Sequence, residues 1–206
     1  SSFQLANNNP SDAAACEEAQ TRFNDLAEAI EGQQEPWMAM VSLRRTQLAA
    51  HQNEWATVLE IAETIPEQFP NFAQQYEVDY LVGRALASQA LFEEARQAYL
   101  RVLRSKSGGK TETAAISQWM IGETYFHQKS YAIALREYLR LEILFAFPTW
   151  QSAALLQAGK CHELLGEWDN ATEAYRRILK EYPNTEFADD ATARLEKIRS
   201  RVAERP

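Results

Sequence analysis

Between its Pro and Gly punctuation the chain consists of long stretches rich in Ala, Leu, Glu, Gln and Arg, with apolar residues at helical spacing. The pattern predicts an all-α protein built of paired helices, at 37–52 with 54–68, 72–88 with 91–105, 112–128 with 130–146, and 149–165 with 167–181. Cys16, Ala19, Phe23, Leu26, Ala27 and Ile30 form a further apolar stripe that stops at Gly32, and Phe187, Ala188, Ala191, Leu195, Ile198 and Val202 form another. These define an N-terminal flanking helix within 12–33 and a capping helix within 184–206, closing the two ends of a stack. Residues 1–11, with three consecutive Asn and Pro10, read as a disordered lead-in.

The helix pairs are copies of one unit. Thr46, Gly83, Gly122 and Gly159 are anchors separated by 37, 39 and 37 residues. Nine residues after each stands an aromatic: Trp55, Phe92, Tyr131 and Trp168. Twelve after are Val58, Ala95, Ala134 and Ala171; sixteen after, Ala62, Tyr99, Tyr138 and Tyr175; nineteen after, Ile65, Val102, Leu141 and Ile178. The anchor is small because the two helices of a pair cross closely there. Pro70, Pro148 and Pro183 end second helices, since Pro lacks the amide N–H a helix interior needs. The units span about 37–70, 71–109, 110–148 and 149–183, and the Gly108-Gly109 loop accounts for the 39-residue spacing.

Composition narrows the class. Seven Gly and seven Pro in 206 residues are too few to turn the chain of a sandwich or barrel. The net charge of −8 comes wholly from the first third: residues 1–75 hold 11 acids and 3 bases, and residues 76–206 hold 18 of each. That acidic end is a solvated face or a surface that steers a basic partner. With no basic block, nucleic acid is a poor partner. No apolar run reaches the roughly 18–20 residues of a membrane span. Cys16 and Cys161 stand in no ligand-like spacing and read as small apolar fillers. The start at Ser1 reads as a trimmed or mature fragment.

Gly159, Ala171, Tyr175 and Pro183, with Gly122, Tyr125, Ala134 and Tyr138 and with Gly83, Ala95 and Tyr99, resemble the signature of the tetratricopeptide repeat family. The resemblance covers residues 37–183 and departs most in the first unit, at Thr46 and Val58. It implies a right-handed α-solenoid, a superhelix whose first helices line a concave groove. The stretch 181–198 also resembles repeats of bacterial envelope tetratricopeptide proteins, which favours the periplasm or cell envelope over the cytoplasm.

By the same resemblance, groove positions lie three before, one after and four after each anchor. The candidate binding residues are Leu43, Tyr80, Arg84, Trp119, Glu123, Phe126, Leu156 and Lys160. The Lys and Asn clamp that chaperone-binding relatives use for a C-terminal carboxylate is absent, because the row three before the anchors reads Leu43, Tyr80, Trp119, Leu156. An apolar and aromatic row remains, suited to an extended peptide or an amphipathic helix. The same row could instead be covered by the flanking helices, packed between repeats, or used for homo-oligomer contact.

No arrangement for catalysis stands out. His51 and His127 occupy equivalent helix ends two units apart, His162 reads as a packed, hydrogen-bonded residue, and Cys161 points away from it. Gly108-Gly109-Lys110-Thr111 resembles a phosphate loop only superficially and reads as a turn before a Thr-capped helix. Asp189-Asp190 reads as a helix-dipole pair rather than a calcium site. Trp55 and Trp168 read as core, Trp37 and Trp150 as extensions of first-helix faces, and Trp119 as a groove residue. The expectation is a noncatalytic scaffold without a cofactor that binds a protein or peptide; the alternative is an assembly subunit of a bacterial envelope complex.

Overall fold

The computed structural model describes residues 10–29 and 35–203, which form ten α-helices and no strand. In chain order these are α1 (Pro10–Ala29), α2 (Met38–His51), α3 (Trp55–Gln68), α4 (Gln75–Ser88), α5 (Phe92–Arg104), α6 (Glu112–His127), α7 (Tyr131–Leu144), α8 (Pro148–Leu165), α9 (Trp168–Glu181) and α10 (Phe187–Ala203). The four pairs α2/α3 to α8/α9 are the units of the repeat, flanked by α1 and α10. Pro10 and Ser11 are helical rather than part of a lead-in; residues 1–9, the stop at Gly32 and the side chain of Cys16 lie outside the described residues. Pro148 also has a different role from the expected one. The helix α7 ends at Leu144, and Pro148 opens α8, where its missing N–H belongs to the unpaired first turn in any case.

A steric lock holds each of the last three pairs together. An added Cβ on Gly83, Gly122 or Gly159 would lie 2.4, 2.5 or 2.4 Å from a ring carbon of Tyr99, Tyr138 or Tyr175. All three tyrosines are fully buried. In the first pair the volumes are exchanged: buried Thr46 stands at the anchor, and Ala62 at the tyrosine position.

The turn between helices repeats as closely as the helices do. Seven residues after each anchor, Asn53, Ala90, Lys129 and Gly166 all adopt left-handed backbone, with φ of 60°, 59°, 59° and 79°. Only the last is a residue that takes this conformation without a steric cost.

Each unit meets the next at that unit's first helix, which packs mainly on the preceding second helix (α3 with α4, α5 with α6, α7 with α8) and also on the preceding first helix. Neighbouring first helices meet (α2 with α4, α4 with α6, α6 with α8), α8 meets α10, and no two second helices of the described residues do. The first helices therefore form the inner, tighter layer of the stack and the second helices splay on its outside. Polar ties cross the seams: Arg96 of α5 donates to Thr124 and Gln128 at 3.2 and 2.8 Å, and the Trp150 indole N–H of α8 donates to Glu112 of α6 at 2.8 Å. Arg177 of α9 pairs with Glu142 of α7. Among the described residues no helix is long and apolar enough to cross a membrane.

Candidate functional site

The inner layer treats the expected groove residues unequally. Leu43 and Leu156 are 2% and 3% exposed, so neither belongs to an open groove. Leu43 shares a core cluster with Val78, Leu81 and Ala85 of α4, because adjacent first helices approach too closely to leave it free. Leu156 shares one with Leu195 and Ile198, so the chain's own capping helix covers that end of the row. Phe126 is half-buried against Tyr131, with ring centroids 5.4 Å apart. Trp119 is half-buried and tilted against Trp150, and its indole N–H is enclosed without a hydrogen-bond partner.

What stays open lies in the middle of the layer. A cavity of about 280 Å³ is walled by Trp55, Arg84, Phe92, Trp119, Glu123 and His127, with Ala87 and Ser88 beside Arg84. Two successive first helices, α4 and α6, and the starts of two second helices, α3 and α5, contribute to it. The Arg84 guanidinium lies over the ring of Trp55 at 5.2 Å and near that of Tyr80 at 6.0 Å, and it forms no ion pair among the described residues. Phe92 stacks on His127 with ring centroids 6.2 Å apart. Three expected residues, Arg84, Trp119 and Glu123, thus line one cavity, with Tyr80 on its Arg84 side.

Trp55 and Phe92 were not among the expected site residues. Their offset marks them as covers of their own pairs, and only the packing of successive pairs makes them walls of the cavity, with the Trp55 ring under Arg84. A larger depression, about 470 Å³, lies outside this layer between the start of α9 and α10. There Arg201 already stacks on Trp168 at 4.3 Å, and the depression is the seam of the capping helix rather than a meeting of repeats.

Beneath the layer, the buried tyrosines reach carboxylates on the first helices. Tyr138 donates to Glu123 at 2.5 Å, and Gln157 donates to the same oxygen at 2.5 Å. Tyr175 donates to Glu163 at 2.5 Å, which also accepts from Arg194 at 3.1 Å. The Tyr99 hydroxyl, equally buried, has no partner among the described residues. Burial pushes the hydroxyls of Tyr99, Tyr138 and Tyr175 well above the usual tyrosine range. Burial likewise lifts the Cys161 thiol to about 12, and with the charge of Arg194 it holds the Lys160 ammonium below the usual lysine range. His162 is packed as expected, its Nδ1 2.6 Å from a Glu167 carboxylate oxygen. Thr111 caps α6, accepting from the Ala114 N–H at 3.4 Å, so the double-glycine segment is a turn.

The family model of the tetratricopeptide repeat matches residues 153–185, from within α8 to the turn after α9. The same glycine–tyrosine lock recurs in the two pairs before it, so the matched segment is one copy of a unit that the chain repeats. Two solved structures share the fold. One is YrrB, described as a TPR protein with an unusual peptide-binding site, at 18% identity and a TM-score of 0.61 over 89% of this chain and 84% of that one. The other is BtubC (BKLC) from P. vanneervenii, at 13% identity and a TM-score of 0.68 over 95% of this chain and 78% of that one. No curated protein matches the chain.

Proposed function

We propose that this chain is a noncatalytic protein-interaction scaffold that holds a peptide segment of a partner against the inner layer, centred on Arg84. The observation that carries the reading is the cavity walled by Trp55, Arg84, Trp119 and Glu123. It combines aromatic anchors with a cation that has no anion among the described residues, the composition typical of binding hot spots. Its volume of about 280 Å³ falls just below the roughly 300–1,000 Å³ of small-molecule pockets. It therefore suits one or two side chains of a longer ligand. YrrB, which shares the fold, is described as having a peptide-binding site, and this is consistent with the reading.

The test is selection from a random 12-residue peptide display library, followed by amide and indole chemical-shift mapping of a selected peptide. Shifts at Arg84, Ala87 and the Trp55 indole are expected. Shifts confined to the outer helices α5, α7 and α9 would contradict the reading.

A second reading, an assembly subunit, has one observation of its own. Ile143 and Leu144 are 81% and 58% exposed at the end of α7, on the edge away from the cavity. Sedimentation across a concentration series separates the two, since assembly through that edge requires association that Ile143→Ser with Leu144→Ser abolishes.

A further inference from the structure

The three buried tyrosines form an internal comparison. In the third and fourth repeats the ring passes under the anchor glycine, and its hydroxyl reaches a carboxylate on the first helix: Glu123, one residue after the anchor, and Glu163, four after. In the fourth, that carboxylate also meets a cation, giving the sequence Tyr175 hydroxyl, Glu163, Arg194. The ring of Tyr99 passes under Gly83 with the same geometry, its Cε1 2.4 Å from the position of an added Cβ. Its hydroxyl therefore reaches the same side of its first helix, where the two positions hold Arg84 and Ala87. The hydroxyl is enclosed and unpartnered, and the cation beside it has aromatic neighbours but no ion pair. Two members of the trio are present, and the acid between them is missing.

Resting on the proposed peptide-binding function, we infer that the partner supplies this acid: an Asp or Glu side chain of the bound peptide docks against Arg84 and accepts from the Tyr99 hydroxyl. A buried hydroxyl without a partner carries a desolvation penalty that an incoming acceptor relieves, and an arginine–carboxylate contact made away from water is among the stronger polar contacts. Tyr99 is fully buried, so the carboxylate reaches it as the half-buried Tyr80 ring, 6.3 Å away between centroids, turns aside. The other acid at the cavity, Glu123, makes no ion pair with Arg84, and one of its oxygens accepts from both Tyr138 and Gln157. A residue neighbouring the acid in the peptide would occupy the cavity between Trp55 and Trp119.

The probe is the peptide selected above, amidated at its C-terminus so that only side chains offer a carboxylate. Selected sequences are expected to share an acidic position next to an aromatic or aliphatic one. Replacing that acid by its amide in the peptide should weaken binding to the wild type by roughly tenfold or more, the size of a charge-assisted hydrogen bond. It should have little effect on binding to Arg84→Gln. Tyr99→Phe should weaken the acidic peptide severalfold while leaving the thermal midpoint of the free protein unchanged or higher. Selected peptides without an acidic position, or an equal loss in wild type and Arg84→Gln, would overturn the inference while leaving the peptide-binding function standing. A library that yields no binder overturns both.

Discussion

Gly159 leaves room for Tyr175 in the fourth repeat: the tyrosine ring occupies the space that any side chain on the glycine would need, with its Cε1 2.4 Å from the position of a Cβ. Gly159→Ala must push aside a ring fully enclosed between helices. It should destabilise the protein by about 1–3 kcal/mol, the range for overpacking a core. Urea unfolding followed by circular dichroism measures it, and Gly122→Ala should behave alike.

The left-handed turn makes the opposite prediction at Ala90 and Lys129. Both have φ near 59°, a conformation that disfavours a Cβ by roughly 1–2 kcal/mol. Ala90→Gly and Lys129→Gly should therefore stabilise, by less than that amount because glycine also loosens the unfolded chain. Gly166→Ala, at φ 79° with open space around the site, should destabilise through backbone conformation alone. A thermal midpoint for each variant checks the sign.

Removing the tyrosine hydroxyls should sort the repeats. Tyr138→Phe and Tyr175→Phe each lose a bond to a carboxylate, at a cost of about 1.5–3 kcal/mol less whatever the carboxylate recovers from its other partner. Tyr99→Phe loses no bond in the free protein and should be neutral or stabilising. Equal losses in all three would show that Tyr99 has a partner after all.

Alkaline pH should unfold the chain cooperatively. The folded Cys161 thiol keeps its proton up to about 12, against an ordinary value of 9.0. The unfolded state therefore releases that proton first, and the thiol's contribution to stability is complete below the ordinary value and lost as pH rises through about 12. The three buried tyrosines, also shifted upward, act in the same direction. Their tyrosinate absorbance should rise together with the loss of helical signal, and native Cys161 should resist alkylation at neutral pH until the protein is unfolded.

The helix pairs and their anchors were legible because one physical demand, a ring under a glycine, recurs at fixed offsets. The first repeat, which looks worn at Thr46, is complementary once Ala62 is seen to have exchanged volumes with it. The groove was less legible. An offset places a residue on a helix face, but whether that face stays open depends on the next repeat, which buries Leu43, and on α10, which buries Leu156. Trp55 and Phe92 were missed for the converse reason, since a residue that covers its own pair can also wall the space between pairs. The missing acid in the second repeat was readable: Arg84 and Ala87 stand where the next repeats hold Glu123 and Glu163. It acquires meaning only with the unpartnered Tyr99 hydroxyl. The left-handed turn gave no such signal, as three of its four residues are not glycine.

The most direct test of peptide binding on the inner layer is calorimetric titration of a selected peptide into three proteins: the wild type, Arg84→Ala with Ser88→Gln, and Ile143→Ser with Leu144→Ser. The first pair alters the cavity wall through one half-buried and one exposed residue, leaving the core intact. The second alters the exposed edge of α7. Binding should weaken tenfold or more in the cavity variant and remain unchanged in the edge variant. Unchanged binding in the cavity variant, with loss in the edge variant, would contradict the account and move the partner surface to the outer edge.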